Sequence, residues 1–102
     1  MQVVYLGEKL SSSDGLAFTS DGRLIYGSLS TTAVVAWDVS KPLSTQSVLW
    51  QDGVTLQWAD TFAFGSDNSL YFTTNKLQRY FAVRGARACG VLRCYSISVC
   101  VV

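Results

Sequence analysis

Residues 14–24 read Asp14-Gly-Leu-Ala-Phe-Thr-Ser-Asp-Gly-Arg-Leu24, and residues 60–70 read Asp60-Thr-Phe-Ala-Phe-Gly-Ser-Asp-Asn-Ser-Leu70. The two stretches lie 46 residues apart and are identical at six aligned positions. Each has an apolar run, a Ser-Asp turn and a second apolar run, which is the pattern of a β-hairpin. A repeat of this length with about four short strands is typical of a four-stranded β-propeller blade. A β-sandwich of unrelated hairpins is the alternative that two copies leave open.

The rest of the chain also alternates short apolar runs with turn signals, and no segment has the sustained period of an amphipathic helix. We therefore predict an all-β chain. The predicted strands are 3–6, 16–19, 24–28, 33–38, 47–50, 62–64, 70–74 and 77–82. The predicted turns are at Asp21-Gly22, Lys41-Pro42, Gln51-Asp52-Gly53 and Ser66-Asp67-Asn68-Ser69, where left-handed backbone angles or local side-chain hydrogen bonds are favoured.

Two blades cannot close a propeller ring, because each blade buries its faces against two neighbours. We therefore expect the chain to be a partial propeller, a piece of a longer protein. The end of a preceding blade is assigned to residues 1–12, a first blade to 13–52 and a second, incomplete blade to 53–83. A divergent tail, 84–102, matches neither copy, and a frameshift or a mispredicted exon would explain it.

Composition excludes several classes of protein. The 102 residues are 49% hydrophobic and 13% aromatic, which is too apolar for a disordered segment. Eight basic and seven acidic residues are scattered along the chain, so neither a nucleic acid nor a membrane surface is an expected partner. A transmembrane helix is not expected because every stretch of sufficient length carries charge. The first ten residues, MQVVYLGEKL, lack the features of an export signal.

The residues available for chemistry are few. The chain has no His, so a Ser/His/Asp or Cys/His catalytic arrangement is excluded and no catalytic residue is predicted. The three cysteines, Cys89, Cys94 and Cys100, lack the paired short spacing and the fourth ligand of a zinc site. We interpret them as buried or unpaired thiols of a terminal apolar strand, and we predict neither a metal nor a cofactor.

Four ordered motifs resemble those of the yellow and major royal jelly protein family. They are Gly22-Arg-Leu-Ile-Tyr-Gly27, Thr32-Ala-Val-Val-Ala-Trp-Asp38 with Lys41-Pro-Leu43, Thr55-Leu-Gln-Trp-Ala-Asp60, and Leu70-Tyr-Phe-Thr-Thr-Asn-Lys-Leu-Gln78. The resemblance implies the C-terminal part of a secreted six-bladed propeller. The chain departs from the family pattern at three positions: Ala36 replaces a frequent disulfide cysteine, Ala59 a proline and Lys76 an arginine.

The resemblance also implies a ligand. Some members of the family hold a small aromatic amine at one end of the central channel, with polar side chains from the last blades. By motif position, the polar contacts would come from Thr55, Gln57 and Asn75, and the apolar wall from Trp58 and Leu77. Such a site combines an apolar body with a few placed hydrogen bonds.

Each of these residues also has a purely structural interpretation. Thr55, Gln57 and Trp58 would then belong to an inter-blade connector, and Asn75 would satisfy backbone groups at a hairpin. The equivalent residues Asp14 and Asp60 are either carboxylates at the mouth of a channel or acceptors for backbone N–H groups; their repetition favours the second interpretation.

The resemblance therefore leads to a functional expectation with two alternatives. We expect a fragment of a secreted, extracellular propeller that binds a small aromatic or biogenic amine, with dopachrome conversion, a step of melanin formation, as an activity of the full-length parent. The alternatives are a structural or nutritive propeller without a ligand and a calcium-dependent lactonase-type propeller. The fragment alone is expected to be inactive and to bind weakly, because a central pocket needs the whole ring.

Overall fold

Two antiparallel sheets account for the strands in the part of the chain that the structure describes, residues 1–82 and 98–101 of a computed structural model. The first sheet contains β1 (Leu16–Phe18), β2 (Arg23–Ser28), β3 (Ala33–Asp38) and β4 (Ser47–Gln51), in that order. The second sheet contains β5 (Trp58–Phe64), β6 (Leu70–Asn75) and β7 (Ser98–Val101). A short 3₁₀ turn, Leu43–Thr45, precedes β4, and the helix α1 (Leu77–Ala82) follows β6.

The two sheets begin with the same hairpin. In the first hairpin Ala17 pairs with Ile25, and in the second Ala63 pairs with Tyr71, its counterpart in the sequence repeat. The backbone hydrogen bonds that close the two turns are also equivalent: the Thr19 amide donates to the Arg23 carbonyl and the Gly65 amide to the Ser69 carbonyl. The repeat in the sequence is therefore a repeat in the structure.

Positive φ angles occur at equivalent positions of the two turns. Gly22 has a φ of 88° and Asn68 a φ of 63°. Glycine adopts this region without a steric penalty, and asparagine tolerates it better than most residues. The turns predicted at Asp21-Gly22 and Asp67-Asn68 are therefore present, and Gly22 and Asn68 adopt the left-handed backbone angles expected there.

The hydrophobic core lies between the sheets. Residues of β2 and β3 pack against residues of the connector, β5 and β6; the buried members are Ile25, Val34, Ala36, Leu56, Ala59, Leu70 and Phe72. The Phe72 ring stacks on Phe62 at 5.3 Å and meets the edge of Trp50, on β4, at 6.1 Å. The sheets also approach closely at Gly27, where a Cβ would lie 2.5 Å from the Ala59 Cβ. The faces of the two sheets therefore pack as neighbouring blades do.

Residues 1–15 contain no strand, so the strand predicted at 3–6 is wrong. Its four apolar side chains are exposed, and no strand among the described residues pairs with it to provide the hydrogen-bond ladder that an extended segment needs. The contacts with the first sheet come from the residues that follow it. The Leu10 amide donates to the hydroxyl of buried Tyr26 at 3.1 Å, and the Leu29 amide donates to the Ser12 carbonyl at 3.1 Å. Burial raises the pKa of Tyr26.

The strand predicted at 77–82 is also wrong, because these residues form α1. The Asn75 side-chain oxygen accepts a hydrogen bond from the Leu77 amide at 2.8 Å, which satisfies a free N–H at the helix start. Leu77, Gln78, Arg79 and Ala82 are good helix formers, so the local preference agrees with the cap. None of the described helices is long and apolar enough to cross a membrane.

The predictions on the tail fall mainly outside the described residues. Cys89 and Cys94 belong to residues 83–97, which are not among the described residues. The described part of the tail is the backbone of β7, which includes Cys100 and pairs antiparallel with β6.

Aspartates in turns and loops make stability depend on pH. The pKa values of four carboxyls are lowered, chiefly by hydrogen bonds from Thr19 to Asp21, Ser40 to Asp38, Thr55 to Asp52 and Ser69 to Asp67. A lowered pKa in the folded state means that folding favours the charged carboxylate. This stability is present above the ordinary aspartate pKa of about 3.9 and is lost as pH falls through the lower folded value.

We expect the free energy of unfolding from urea titrations to change little between pH 7 and pH 5 and to fall below about pH 4. Asp67→Asn should reduce this dependence, because an amide keeps an acceptor for Ser69 but does not titrate. Stability that rises as pH falls from 5 to 3 would contradict the assignment.

Candidate functional site

Two segments with predicted ligand residues meet where β5 begins and β6 ends. The register of the second sheet pairs Trp58 with Asn75 and Ala59 with Thr74. The connector before β5 and the first turn of α1 are therefore side by side. This placement brings together Gln57, Trp58, Asn75 and Leu77.

The Asn75 side chain is held at both ends. Its Nδ2 donates to Oδ2 of Asp60 at 3.3 Å, and its Oδ1 accepts from the Leu77 amide at 2.8 Å. The side chain is half-buried. Asn75 therefore satisfies a backbone group, as the structural interpretation expected, but at the start of a helix and not at a hairpin, and it also presents a fixed amide beside a carboxylate.

Trp58 connects the site to the first sheet. Its indole Nε1 donates to Oδ2 of Asp14 at 2.9 Å, across 44 residues of sequence. The next residue after Asp14, Gly15, lies against the backbone of Asp60: a Cβ on it would be 1.9 Å from the Asp60 carbonyl oxygen. The two equivalent aspartates are thus brought to the same end of β1 and β5, the first strand of each sheet, which we call the inner strands.

Two glutamines that hydrogen-bond to each other, Gln57 and Gln78, lie beside the Trp58–Asn75 pair. Gln57 Nε2 donates to the Gly53 carbonyl at 3.1 Å, and this bond fixes which end of the Gln57 amide faces Gln78. Gln78 Nε2 then donates to Gln57 Oε1 at 2.7 Å. The Gln78 Oε1 is buried and has no partner among the described residues. Gln78 was not among the predicted site residues, although it is the last residue of the motif that contains Asn75.

Thr55 differs from the other four candidates. Its hydroxyl donates to Oδ2 of Asp52 at 2.6 Å, and Asp52 Oδ1 accepts from the Val54 amide at 2.8 Å. Thr55 is exposed and shapes the connector before β5. It is near the site in sequence, and its hydroxyl is engaged away from the Trp58–Asn75 pair.

The electrostatics of the site are set by its carboxylates. Within the described residues the ion pairs are Arg23–Asp21 and Lys41–Asp38, so neither Asp14 nor Asp60 has a Lys or Arg partner there. Among the described residues, Asp14 accepts a hydrogen bond from the side chain of Trp58, and Asp60 accepts from the side chains of Asn75 and Thr61. Neither accepts there from the backbone groups that their repetition favoured. The same part of the chain contains no group of three or more Cys, Asp or Glu side chains arranged to hold a metal ion.

A sequence model of the major royal jelly proteins matches residues 1–92, which include both hairpins and the whole candidate site. The chain belongs to the major royal jelly protein family. No curated protein matches it.

Membership of the royal jelly protein family confirms the resemblance found in the four motifs. It also identifies the two sheets as blades of a partial β-propeller. The all-β prediction is confirmed, and α1 is a short helix added to it. Asp14 lies two residues before β1 and Asp60 is the third residue of β5, so the candidate site lies where the first strand of each sheet begins in this royal jelly family chain.

Proposed function

We propose that the chain supplies part of the wall of a site for a small aromatic or biogenic amine, in a secreted, extracellular propeller of the royal jelly family. The observation that carries the proposal is the pair of carboxylates, Asp14 and Asp60, which lack a cationic partner in the described residues and are held beside Trp58 and Asn75.

The chemistry of these side chains suits an amine. A carboxylate is the natural partner of an ammonium group, and a charge-assisted hydrogen bond is about twice as strong as a neutral one. The half-buried Trp58 offers an indole face to an aromatic ring or a cation, and Leu77 extends the apolar surface. Asn75 adds a fixed amide for a ring hydroxyl or amine. Gln57 would supply a second amide, and Thr55 shapes the connector before β5. These two complete the five ligand residues that the motifs predict.

The remaining wall of this site would come from the other blades. We therefore expect the 102-residue chain alone to bind amines weakly or not at all, since only one side of a central pocket is present. Dopachrome conversion belongs to the same proposal: it would take place in this pocket, and only in the assembled propeller.

The test is calorimetric titration of the assembled propeller with serotonin and dopamine. We expect saturable micromolar binding, and we expect Asn75→Ser to weaken it about tenfold, the equivalent of one hydrogen bond to a charged or polar ligand group. Serine keeps an oxygen that can cap α1, so the helix should remain. Gln51→Ala, on the outer strand β4, is the matched control and should bind as the parent does.

The outcomes separate the candidate functions. Absence of binding at millimolar amine would reject the proposal and favour a structural or nutritive propeller. Activity on a lactone that disappears when calcium is removed would favour the lactonase alternative. Equal loss of affinity in Asn75→Ser and Gln51→Ala would show that the effect is not local to the site.

A further inference from the structure

A concave surface lies at the end of the same strands that is opposite to the candidate site. The two hairpin turns, β1–β2 and β5–β6, enclose a cleft of about 530 Å³, a volume within the usual range of small-molecule sites. Its lining includes Phe18, Asp21, Arg23, Phe64 and Asn68. Both turns belong to this chain, so the walls described here need no further blade.

The apolar part of the cleft comes from the sequence repeat. Phe18 and Phe64 occupy equivalent positions, one at the end of each inner strand, and both line the cleft. They are 56% and 42% exposed, although phenylalanine is usually buried. Two exposed rings at one cleft offer an apolar surface for a ring or a short hydrocarbon chain.

The polar part of the cleft is a guanidinium held in place. The Arg23 Nε donates to both oxygens of Asp21, at 3.3 and 3.2 Å, while its terminal nitrogens donate no hydrogen bond within the described residues. The Arg23 side chain is 46% exposed. Asp21 therefore orients the group but leaves its terminal N–H pair free, and that pair matches the two oxygens of a carboxylate. Asn68 adds an amide at the rim.

We propose that this cleft binds an amphipathic carboxylate, a ring or short chain that contacts Phe18 and Phe64 and places its carboxylate on the terminal nitrogens of Arg23. The ligand class is opposite in charge to the amine proposed for the other end. Asp21 offsets part of the charge of Arg23, so the affinity is expected to be modest.

The test uses the 102-residue chain, 2-naphthoate, and 2-naphthylmethylamine as a cation of similar ring size. Calorimetry and amide NMR shifts should give a Kd of about 0.1–1 mM for the acid, with the largest shifts in the two turns. The amine should bind at least about fivefold more weakly.

Arg23→Gln should weaken binding of the acid about tenfold and remove the preference for it over the amine. Phe64→Ser should weaken both ligands. Leu49→Ser, an equally exposed apolar residue on β4, is the control and should change neither.

Three results would overturn the inference: no binding of naphthoate at 10 mM, equal affinity for the acid and the amine, or unchanged affinity in Arg23→Gln. Equal effects of Phe64→Ser and Leu49→Ser would also overturn it, because they would indicate general adsorption to exposed apolar surface. Failure of amine binding at the other end would leave these outcomes unaffected, because the two sites share no residue.

Discussion

Replacing Gly15 with alanine is expected to cost about 3 kcal/mol of unfolding free energy, at the upper end of the usual cost of overpacking. The new Cβ would lie 1.9 Å from the carbonyl oxygen of Asp60, 2.5 Å from its carbon and 2.9 Å from the ring of Phe62. Backbone atoms cannot move aside as the end of a flexible side chain can. The inner strands β1 and β5 would have to separate, and urea titration followed by circular dichroism would measure the loss.

Gly53→Ala is the matched control for this substitution. Gly53 has ordinary space around it, with the nearest atom, Thr32 Oγ1, 3.8 Å from the added Cβ. We expect a change below about 1 kcal/mol in either direction. If the two variants unfold at the same urea concentration, the close approach of the inner strands is not as the structure has it.

Replacing Phe72 with alanine is expected to cost about 3–5 kcal/mol. The Phe72 side chain is 1% exposed and lies between the sheets, in contact with Phe62 and Trp50. Its removal would leave a cavity at the centre of the packed faces and would release Trp50 from its edge contact. The near-ultraviolet circular dichroism of the tryptophans should therefore weaken together with stability.

Phe64→Ala removes the same side chain from a position that is 42% exposed. We expect it to cost about 1 kcal/mol, the typical effect of a substitution that leaves no cavity. A cost for Phe72→Ala within the error of Phe64→Ala would mean that the two sheets do not pack through Phe72. That result would also remove the basis for describing them as neighbouring blades.

The strands that the sequence predicted correctly are those with turn chemistry on both sides. β3 has the predicted bounds, and β1, β2, β4 and β6 differ by one residue at an end. β5 begins four residues earlier than predicted, because Trp58 and Ala59 pair with Asn75 and Thr74 of β6 although the segment lacks apolar alternation. Local sequence patterns therefore predicted where the hairpins are, whereas the length of each strand depends on the strand with which it pairs.

The two wrong strands failed for tertiary and capping reasons. An apolar run at residues 3–6 predicts a strand only if another strand edge is free beside it, and in the described structure none pairs with it. At residues 77–82, the Asn75 cap and the helix preference of Leu77 and Gln78 outweighed the apolar run that predicted a strand. Neither outcome could be inferred from hydrophobic periodicity.

The motifs proposed Gln57, Trp58, Asn75 and Leu77 as site residues, and the sheet register places their segments side by side. The hydrogen bonds between these segments could not be predicted in the same way. The bond between Trp58 and Asp14 joins residues from different blades, so no local pattern reveals it. Gln78 was missed because its buried oxygen becomes apparent only once Gln57 is fixed by the connector.

The bond from Trp58 to Asp14 has a thermodynamic consequence. Asp14 leads into the first blade and Trp58 begins the second, so their separation depends on how the two blades are spaced. A ligand that contacted both groups would bind the packed arrangement in preference to the separated one. Ligand concentration would then raise the melting temperature, and blade cohesion and site occupancy would rise and fall together.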